Sequence, residues 1–324
     1  MTVVELGAAP HAAVSVVVPT YNRQALVLAT LEALSRERDV PFEVVIVDDG
    51  STDGTAEAVA ERGAALALAG RVVRLPRNRG RSVARNVGIL HSRGEIIAFT
   101  DSDCLPTPGW LVAGLAPFAE PRLGSVQGST RGHPGQRRPF FNHFIEITHF
   151  DGTFSTCNVF FRKAALLQVG GFDPEVDYWE DVDLGWRVQR EGWKATFVPR
   201  ALVYHQIVPL SALEWLRWPQ HFADMPAKVA RYPEYRRYLF LGLWVHWFHA
   251  LFDLAILSLV LGAAVRPVRR FLLILTLPYV IAFPFRHGLS GRWPPVKAAL
   301  HLAWDAVSFG VLLASSIRHR VLVL

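Results

Sequence analysis

Short, nearly continuous apolar runs alternate with segments of helical periodicity through the first 100 residues of the chain. Such runs are typical of strands buried on both faces, and amphipathic helices between them connect strands that lie parallel. The pattern therefore predicts an α/β domain in which helices cover both faces of a mostly parallel sheet. The predicted strands cover residues 14–18, 42–47, 72–75 and 95–100, and the predicted helices cover residues 25–36, 55–62 and 82–91.

The same alternation continues less regularly as far as residue 205. A stretch rich in Gly, Pro and Arg at residues 131–139 predicts a surface loop. The pattern also predicts a strand at 153–161, a helix at 180–190, a strand at 196–198 and a strand-like run at 201–204. These elements place residues 14–205 in one predicted domain, after an N-terminal tail of residues 1–13.

Long apolar segments distinguish the rest of the chain. Residues 239–265 contain only three ionisable side chains, and at about 1.5 Å per residue they are long enough to cross a hydrocarbon core of about 30 Å. Residues 271–285 are short for a span and contain two prolines, which favours a tilted or re-entrant segment. Residues 296–317 are again long enough. We therefore predict an interfacial amphipathic linker at 206–238 and a membrane region of two to three hydrophobic helices at 239–324.

Charge separates the same two parts of the chain. Residues 1–205 carry 21 Lys and Arg against 23 Asp and Glu, whereas residues 206–324 carry 13 against 5. The basic residues of the second part punctuate the apolar runs, which suits lipid head groups and argues against nucleic acid as a partner. Because these residues lie on both sides of every run, they do not fix an orientation, and amphipathic helices lying on the bilayer are the alternative to spanning helices. They are Lys228, Arg231, Arg236, Arg237, Arg266, Arg269, Arg270, Arg286, Arg292, Arg318 and Arg320.

The N-terminus and the cysteines indicate a compartment. The chain opens without a basic n-region, and its first apolar run is cut off by Pro19, so no signal peptide is predicted. Cys104 and Cys157 lack the spacing of a zinc site or a disulfide framework, as expected in a reducing cytoplasm. We therefore expect the first domain on the cytoplasmic side of the cell (inner) membrane.

Carboxylates collect where the predicted strands end. Ligands of a parallel sheet bind beyond the carboxyl ends of its strands, and residues 19–23, 48–54 and 101–103 follow these ends. Neither a dinucleotide fingerprint nor a P-loop is present. Asp101 and Asp103 are two residues apart, so in an extended chain both point to the same side, which suits Mg²⁺ or Mn²⁺ bridged to a diphosphate. For part of the run 48–54, capping of the next helix is the alternative.

Five ordered blocks carry a family resemblance: VVVPTYNR at 16–23, VDDGSTDGT at 47–55, NRGRSVARNVGI at 78–89, GEIIAFTDSD at 94–103 and WEDVDLGWR at 179–187. Together they resemble the family 2 glycosyltransferases of the GT-A fold. The blocks lie within residues 14–205. The resemblance implies a Rossmann-like GT-A sheet for that domain, and the C-terminal hydrophobic membrane helices lie outside it.

The resemblance implies a site for a nucleotide-diphosphate sugar. Tyr21 would stack near the base, Asp49 would accept a hydrogen bond from it, and Arg81 would lie along the nucleotide. The other positions implied for binding the nucleotide sugar are Pro19, Asn22, Asn86 and Asp101.

The resemblance also implies a metal site. Asp101 and Asp103 would hold Mn²⁺ or Mg²⁺ under the diphosphate. His205 would complete the site, because a neutral imidazole tolerates Mn²⁺ well. An ordinary packed histidine is the alternative for His205.

The last block implies the chemistry of transfer. Asp181 would be the general base that takes a proton from the attacking hydroxyl, and Glu180 would position Asp181 or the acceptor. Transfer with inversion needs one such carboxylate and no second carboxylate as leaving-group acid. The alternative is a negatively charged first helical turn that complements the helix dipole. Asn158 and Trp179 are the residues implied on the acceptor side.

Residues 214–218, EWLRW, are similar to the Gln-x-x-Arg-Trp block of processive polysaccharide synthases, with Glu214 in place of Gln. This departure, together with the expectation that no membrane helices precede the domain, argues against a polymer channel. We favour an interfacial helix anchored by Trp215 and Trp218.

These observations predict a membrane-anchored, metal-dependent, inverting glycosyltransferase. Its donor is expected to be a UDP-, GDP- or dTDP-sugar, and its acceptor a hydroxyl of a lipid-linked glycan, a glycolipid or a cell-surface polysaccharide precursor. A polyprenyl-phosphate sugar synthase is the alternative, although its phosphate acceptor is already ionised and has little need of a base. A catalytically silent membrane scaffold of the same fold is the further alternative.

Overall fold

A nine-stranded mixed sheet forms the centre of the first of two structural units, Met1–Pro209 and Leu210–Leu324. This computed structural model describes residues 1–8, 12–176, 178–265, 273–287 and 294–324. Of the strands below, β8 and β11 pair with each other in a separate small sheet. The strands are β1 Thr2–Gly7, β2 Val14–Thr20, β3 Phe42–Asp48, β4 Gly70–Arg74, β5 Ile96–Thr100, β6 Cys104–Pro106, β7 Leu123–Gly132, β8 Asn142–His143, β9 Asn158–Arg162, β10 Lys194–His205 and β11 Val208–Pro209.

The strand order across the large sheet is β1-β4-β3-β2-β5-β9-β7-β10-β6. The central block β4-β3-β2-β5 is parallel, which confirms the α/β prediction. Strand β9 is antiparallel to both of its neighbours, whereas β7 and β10 are parallel to each other. The edge strands β1 and β6 are antiparallel to their partners. The carboxyl ends of β2, β3 and β5 therefore meet at one edge of the sheet.

Helices cover both faces of the central strands, because successive side chains of a strand point to opposite sides. Val16 and Ile46 are fully buried in a core that includes Val27 of the first helix, and burial of such a side chain contributes about 1.5–3 kcal/mol. On the other face the third helix approaches so closely that a Cβ at Gly88 would lie 2.3 Å from Val17 Cγ1. The helices of this unit are α1 Gln24–Leu34, α2 Thr55–Ala65, α3 Arg81–His91, α4 Trp110–Leu115, α5 Lys163–Gln168 and α6 Glu180–Arg190, with a 3₁₀ helix at Ala116–Ala119.

The structure differs from the predicted elements in several places, and β6, α4 and α5 are among the elements that were not predicted. Residues of the expected N-terminal tail form β1, which pairs with β4. The strand predicted at 153–161 begins only at Asn158, after a turn in which Phe154 has φ 54°. The two runs at 196–198 and 201–204 belong to one strand, β10, whose register shifts between Val198 and Leu202. Strand β7 was not predicted at all.

Strand β7 is hidden in the sequence because its buried side chains are mostly polar. Gln127 and Ser129 are buried. The Gln127 side chain donates to the Asn158 carbonyl at 2.8 Å, and the Ser129 hydroxyl donates to the Ile147 carbonyl at 3.0 Å. Polar side chains that form hydrogen bonds can be buried in a core. They interrupt the apolar alternation by which a strand is identified in a sequence.

The second unit, Leu210–Leu324, is helical in the residues that the structure describes. Helix α7 begins with a capping box, in which Ser211 accepts from the Glu214 N–H and Glu214 accepts from the Ser211 N–H. The side chain that departs from the synthase block therefore caps a helix. The helices are α7 Ala212–Arg217, α8 Met225–Arg231, α9 Trp247–Ala264, α10 Leu277–His287 and α11 Pro294–His319, with 3₁₀ helices at Trp218–Asp224 and Pro233–Tyr238.

Two of these helices have the length and composition needed to cross a membrane, Trp247–Ala264 and Pro295–His319. The apolar run 239–265 is helical only from Trp247, and Phe240 and Trp244 form an isolated bridge before it. Helix α10 has 11 residues with Pro284 inside, which is too short for a span of about 20 residues. The predicted flanking residues Arg266, Arg269, Arg270 and Arg292, and the first two residues of the run 271–285, lie outside the described residues.

Candidate active site

Asn22 joins the loops that follow β2 and β3. Its backbone N–H donates to Ser51 Oγ at 2.8 Å, and its Oδ1 accepts from the Thr52 N–H at 2.8 Å. Its φ of 50° is left-handed, a conformation that Asn adopts more readily than most residues. Asn22 therefore holds the loops after β2 and β3 together at the edge of the candidate site. Pro19 lies in β2 behind it, and Tyr21 is 42% exposed beside it.

Asp49 fixes the loop that leads into α3. Its two carboxylate oxygens accept from the N–H groups of Arg79 and Gly80, each at 2.8 Å. Burial raises the pKa of Asp49 above its usual value, while these two hydrogen bonds oppose the rise. Each oxygen keeps a further lone pair, so Asp49 remains able to accept from a bound ligand.

Arg85 is the buried cation at the centre of the site. From α3, its Nη1 donates to Glu180 Oε1 at 2.7 Å and its Nη2 donates to Asp101 Oδ1 at 2.9 Å. Only 3% of Arg85 is exposed. Burial lowers the pKa of Arg85, but the charges of Asp101 and Glu180 more than offset this and raise it. A permanently charged guanidinium therefore ties the end of β5 to the start of α6.

Arg81 lies one turn before Arg85 on α3 and adds a second, exposed positive charge. Its Nε is 3.7 Å from Glu180 Oε1, and about half of its side chain is exposed. Its guanidinium also lies over the Tyr178 ring, 5.4 Å from the centroid. The structure therefore brings Arg81, Glu180 and Asp101 together around Arg85.

Asp181 follows Glu180 in the first turn of α6. Burial raises the pKa of Asp181 to about 7, the charge of Glu180 adds to the rise, and the charge of Arg85 opposes it. The preceding residue, Trp179, has a left-handed φ of 62°, which costs a non-glycine residue about 1–2 kcal/mol. Strain of this kind concentrates at functional sites. Asp181 is thus a carboxylate that can both accept and hold a proton near neutral pH.

Asp103 and His205 form a pair that is complementary to a cation. His205 Nδ1 lies 2.7 Å from the Gln206 carbonyl oxygen. Because a carbonyl only accepts, Nδ1 carries a proton, and in the neutral imidazole Nε2 then presents a lone pair. That lone pair faces Asp103 Oδ1 at 3.7 Å. Two acceptors so close together fit a divalent cation between them, since bonds of about 2.1 Å span this distance.

The converging donor atoms in the described part of the chain are those of Asp103, Cys104 and His205, all within 4.8 Å of one another. Asp101, the other predicted metal ligand, lies outside this group, and its Oδ1 accepts from Arg85 Nη2 at 2.9 Å. Asp103 Oδ2 accepts from Arg23 Nη1 at 2.8 Å. Burial raises the pKa of the Cys104 thiol well above its usual value, so the thiol is neutral.

Asn158, the residue predicted on the acceptor side, lies inside the large sheet. Asn158 is fully buried where β7, β9 and β10 meet. Its Oδ1 accepts from Trp110 Nε1 at 2.8 Å, and its Nδ2 donates to carbonyls of β7 and β10. The amide of Asn86 is likewise used within the fold, since it donates to and accepts from the backbone of Phe172, each at 2.8 Å. Neither amide joins the charged cluster.

Arg23 and Arg85 were not predicted as site residues, and Cys104 was expected to lie outside any metal site. All three lie inside the quoted blocks or directly after one of them. A buried partner for the acidic positions could have been sought, because a carboxylate buried without a cation or donor is unstable. The position of each arginine of the block 78–89 on α3 decides whether its side chain points into the protein. This position has an inward side only once α3 is packed against the sheet.

Comparisons with known proteins show similarity to glycosyltransferases. The family model for glycosyl transferase family 2 matches residues 15–171, and the model for glycosyl transferase family group 2 matches residues 96–285. Glycosyltransferase AglE of Haloferax volcanii is 28% identical over 62% of this chain and 69% of its own length. The pre-mycofactocin glycosyltransferase of Mycobacterium tuberculosis is 30% identical over 60% of this chain, and chondroitin synthase of Escherichia coli is 26% identical over 60%. The chain spans only 43% and 35% of the lengths of these last two relatives.

Solved structures share the fold. The mannosyltransferase PcManGT from Pyrobaculum calidifontis, in complex with GDP-Man and Mn²⁺, superposes with a TM-score of 0.58 and 22% identity, covering 97% of this chain and 89% of that one. S. aureus TarS 1–349 in complex with UDP-GlcNAc gives a TM-score of 0.52 and 19% identity, covering 95% and 92%. These similarities show the GT-A fold that the sequence blocks implied.

The raised pKa of Asp181 predicts that the stability of the protein depends on pH. Its pKa is about 7 in the folded chain against 3.8 for an ordinary Asp. The folded state therefore binds more protons between these values, and stability falls as pH rises through this window. We expect Asp181→Asn to raise the thermal midpoint of unfolding at about pH 8 and to leave it nearly unchanged at about pH 3, which lies below both pKa values.

The control is Asp53→Asn, because the pKa of the exposed Asp53 carboxyl is lowered by its hydrogen bonds to Thr55. This substitution should not raise the midpoint at either pH. An equal rise for both variants, or no rise for Asp181→Asn at about pH 8, would contradict the burial of a carboxylate at this position.

Proposed function

Because this chain belongs to the family 2 glycosyltransferases, we propose that it is a membrane-anchored, metal-dependent, inverting enzyme. It transfers a sugar from a nucleotide-diphosphate sugar to a hydroxyl of a lipid-linked glycan, a glycolipid or a cell-surface polysaccharide precursor. One observation carries the proposal: Arg85 joins Asp101 and Glu180 beside Asp181, whose pKa is raised to about 7.

The donor side is supported by the loops at the carboxyl ends of β2 and β3. The exposed ring of Tyr21 can stack on a base. The Asp49 carboxylate, which hydrogen bonds to the Arg79 and Gly80 N–H groups hold in place, can accept a further hydrogen bond. Arg81 supplies an exposed positive charge beside them, suited to a phosphate. Two structural neighbours are complexes with GDP-Man and with UDP-GlcNAc, so the donor proposed here is a UDP-, GDP- or dTDP-sugar.

Asp103 and His205 are the residues that would hold Mn²⁺ or Mg²⁺. The cation, when bound, supplies positive charge that stabilises the departing diphosphate. His205 keeps its lone pair on Nε2 through the hydrogen bond of Nδ1 to Gln206, and Arg23 holds the second oxygen of Asp103. A structural neighbour that contains Mn²⁺ supports this choice of cation.

Asp181 is proposed as the general base. Near neutral pH its carboxyl is poised between the two protonation states, which favours proton transfer from a hydroxyl. Glu180 instead forms an ion pair with Arg85 at 2.7 Å. Attack by the activated hydroxyl on the face opposite the leaving diphosphate inverts the anomeric centre. Trp179 lies beside Asp181 and is proposed to contact the acceptor.

Asp181 also separates this proposal from its alternatives. A polyprenyl-phosphate acceptor is ionised without help and makes no use of a base with a raised pKa. In a catalytically silent scaffold the left-handed Trp179 and the partly buried carboxylate of Asp181, whose pKa is raised, would lower stability without serving a function. The hydroxyl acceptor is therefore the proposal that this site favours.

The second unit exposes apolar side chains and buries polar ones, which supports membrane anchoring. Leu257, Val260 and Ile281 are 54%, 60% and 63% exposed, whereas Asp305 is 2% exposed and accepts from Tyr279 Oη at 2.7 Å. Apolar side chains outside and paired polar side chains inside suit contact with lipid. We propose that this unit anchors the enzyme in the cell (inner) membrane, with the catalytic unit on the cytoplasmic side and the acceptor in or near the bilayer.

Donor turnover is the direct test of the proposed activity. Detergent-purified full-length protein is expected to release nucleoside diphosphate from one member of a panel of UDP-, GDP- and dTDP-sugars when Mn²⁺ or Mg²⁺ is present. EDTA and Asp103→Asn should abolish the release. Asp181→Asn should still bind the donor but should transfer to a hydroxyl acceptor about 10²–10⁴-fold more slowly.

The control for this assay is Asp39→Asn, an exposed aspartate of the same unit, which should behave like the wild type. Transfer to polyprenyl phosphate that survives Asp181→Asn would replace the hydroxyl acceptor with the phosphate. Absence of both donor binding and donor turnover across the panel would favour the scaffold.

Membrane association has its own test. Full-length protein without detergent is expected to float with phospholipid vesicles, and Leu257→Lys with Val260→Lys should weaken flotation, because a charge in hydrocarbon costs about 2.5–3.5 kcal/mol. Leu90→Lys is the matched control, since Leu90 is an exposed leucine of the catalytic unit. Protein that stays in solution with vesicles present would contradict the anchor.

A further inference from the structure

Strand pairing places a thiol beside the proposed metal ligands. Cys104 is the first residue of β6 and lies directly opposite His205 of β10 in the antiparallel register. Directly opposed residues of an antiparallel pair project their side chains to the same face. The Cys104 thiol and the His205 imidazole are therefore neighbours by the geometry of the sheet, and both are buried.

Asp103 turns one oxygen toward this pair. Its Oδ1 lies 3.9 Å from Cys104 Sγ and 3.7 Å from His205 Nε2. Its Oδ2 is held by Arg23 at 2.8 Å, which fixes the carboxylate in this orientation. The three donor atoms lie within 4.8 Å of one another. One oxygen, one nitrogen and one sulfur thus converge on a common point.

This donor set differs from the one that Mg²⁺ prefers. Mg²⁺ binds oxygen ligands and keeps several waters, whereas Zn²⁺ binds Cys, His and Asp at about 2.0–2.3 Å. Two bonds of these lengths can span the 3.7 Å between Asp103 Oδ1 and His205 Nε2 and the 3.9 Å between Asp103 Oδ1 and Cys104 Sγ. Three protein ligands with a fourth position open are also the usual composition of a zinc site that exchanges ligands.

We propose that Cys104 is a third ligand of the site formed by Asp103 and His205, and that it makes the site select Zn²⁺ over Mg²⁺. The Cys104 S–H bond breaks, a Zn–S bond forms, and the proton passes to solvent, with no change of oxidation state. The inference rests on the metal-binding part of the proposed function, since it uses the same two residues. Zn²⁺ bound there competes with Mn²⁺ or Mg²⁺ for them.

The test is metal binding by the full-length protein in detergent, measured without any sugar donor. The first readout is the thiolate-to-metal charge-transfer absorption of the Co²⁺-loaded protein, which requires a Co–S bond. The second is the Zn²⁺ affinity from competition with a chromophoric chelator. The variants are Cys104→Ser and Cys157→Ser. Cys157 is the other buried free cysteine and its side chain contacts Cys104, so the pair of variants decides which of the two sulfur atoms binds the metal.

Wild type and Cys157→Ser are expected to show the absorption. Cys104→Ser should lose it and bind Zn²⁺ more than about tenfold more weakly, with Mn²⁺ affinity changed by less than about threefold. A wild type without the absorption, or an unchanged Zn²⁺ affinity in Cys104→Ser, would overturn the proposal. Thermal midpoints similar to that of Cys157→Ser show that Cys104→Ser is folded.

Donor turnover in Mg²⁺ is measured on the same samples. Because it does not require the Cys104 thiol, its absence together with the cobalt absorption would count against the proposed transfer and would leave the zinc assignment supported. Turnover without the absorption would support the transfer and overturn the zinc assignment.

Discussion

The buried guanidinium of Arg85 is the interaction on which the site depends. A charge that is 3% exposed is stable only when it is paired, and its partners Asp101 and Glu180 come from the end of β5 and the start of α6. Since the chain between these two carboxylates includes three strands of the sheet, the ion pairs can form only when that part of the fold is complete. Folding and assembly of the site are in this sense one event.

The division of charge around Arg85 explains why neighbouring carboxylates behave differently. Asp101 and Glu180 are neutralised by direct contact, whereas Asp181 has no such contact and is left with a pKa near 7. Asp103 forms a separate ion pair with Arg23. Three of the four carboxylates are therefore paired with an arginine. The fourth, Asp181, can exchange a proton near neutral pH, as acid–base chemistry requires.

The sequence predicted most of the parallel core and the positions of the acidic residues, because apolar runs and carboxylates at strand ends leave a local signal. It did not predict β7, whose buried Gln127 and Ser129 look like surface residues until their partners are known. It also did not reveal that the Asn158 amide donates to carbonyl groups of the two strands β7 and β10. Arg85 and Arg23 were missed for a related reason: a side chain's partner across 95 or 80 residues is fixed by packing and leaves no trace in local spacing.

The central claim is that Asp181 is a base whose pKa is held down by the charge of Arg85. The most direct test is the pH dependence of nucleoside diphosphate release with acceptor present, for wild type, Arg85→Gln and Arg85→Lys. The rate of the wild type should rise with pH through about 7. Removing the positive charge in Arg85→Gln should move this rise to higher pH, whereas Arg85→Lys, which keeps a charge, should stay near the wild type. A folded, active Arg85→Gln variant with an unmoved pH profile would contradict the account.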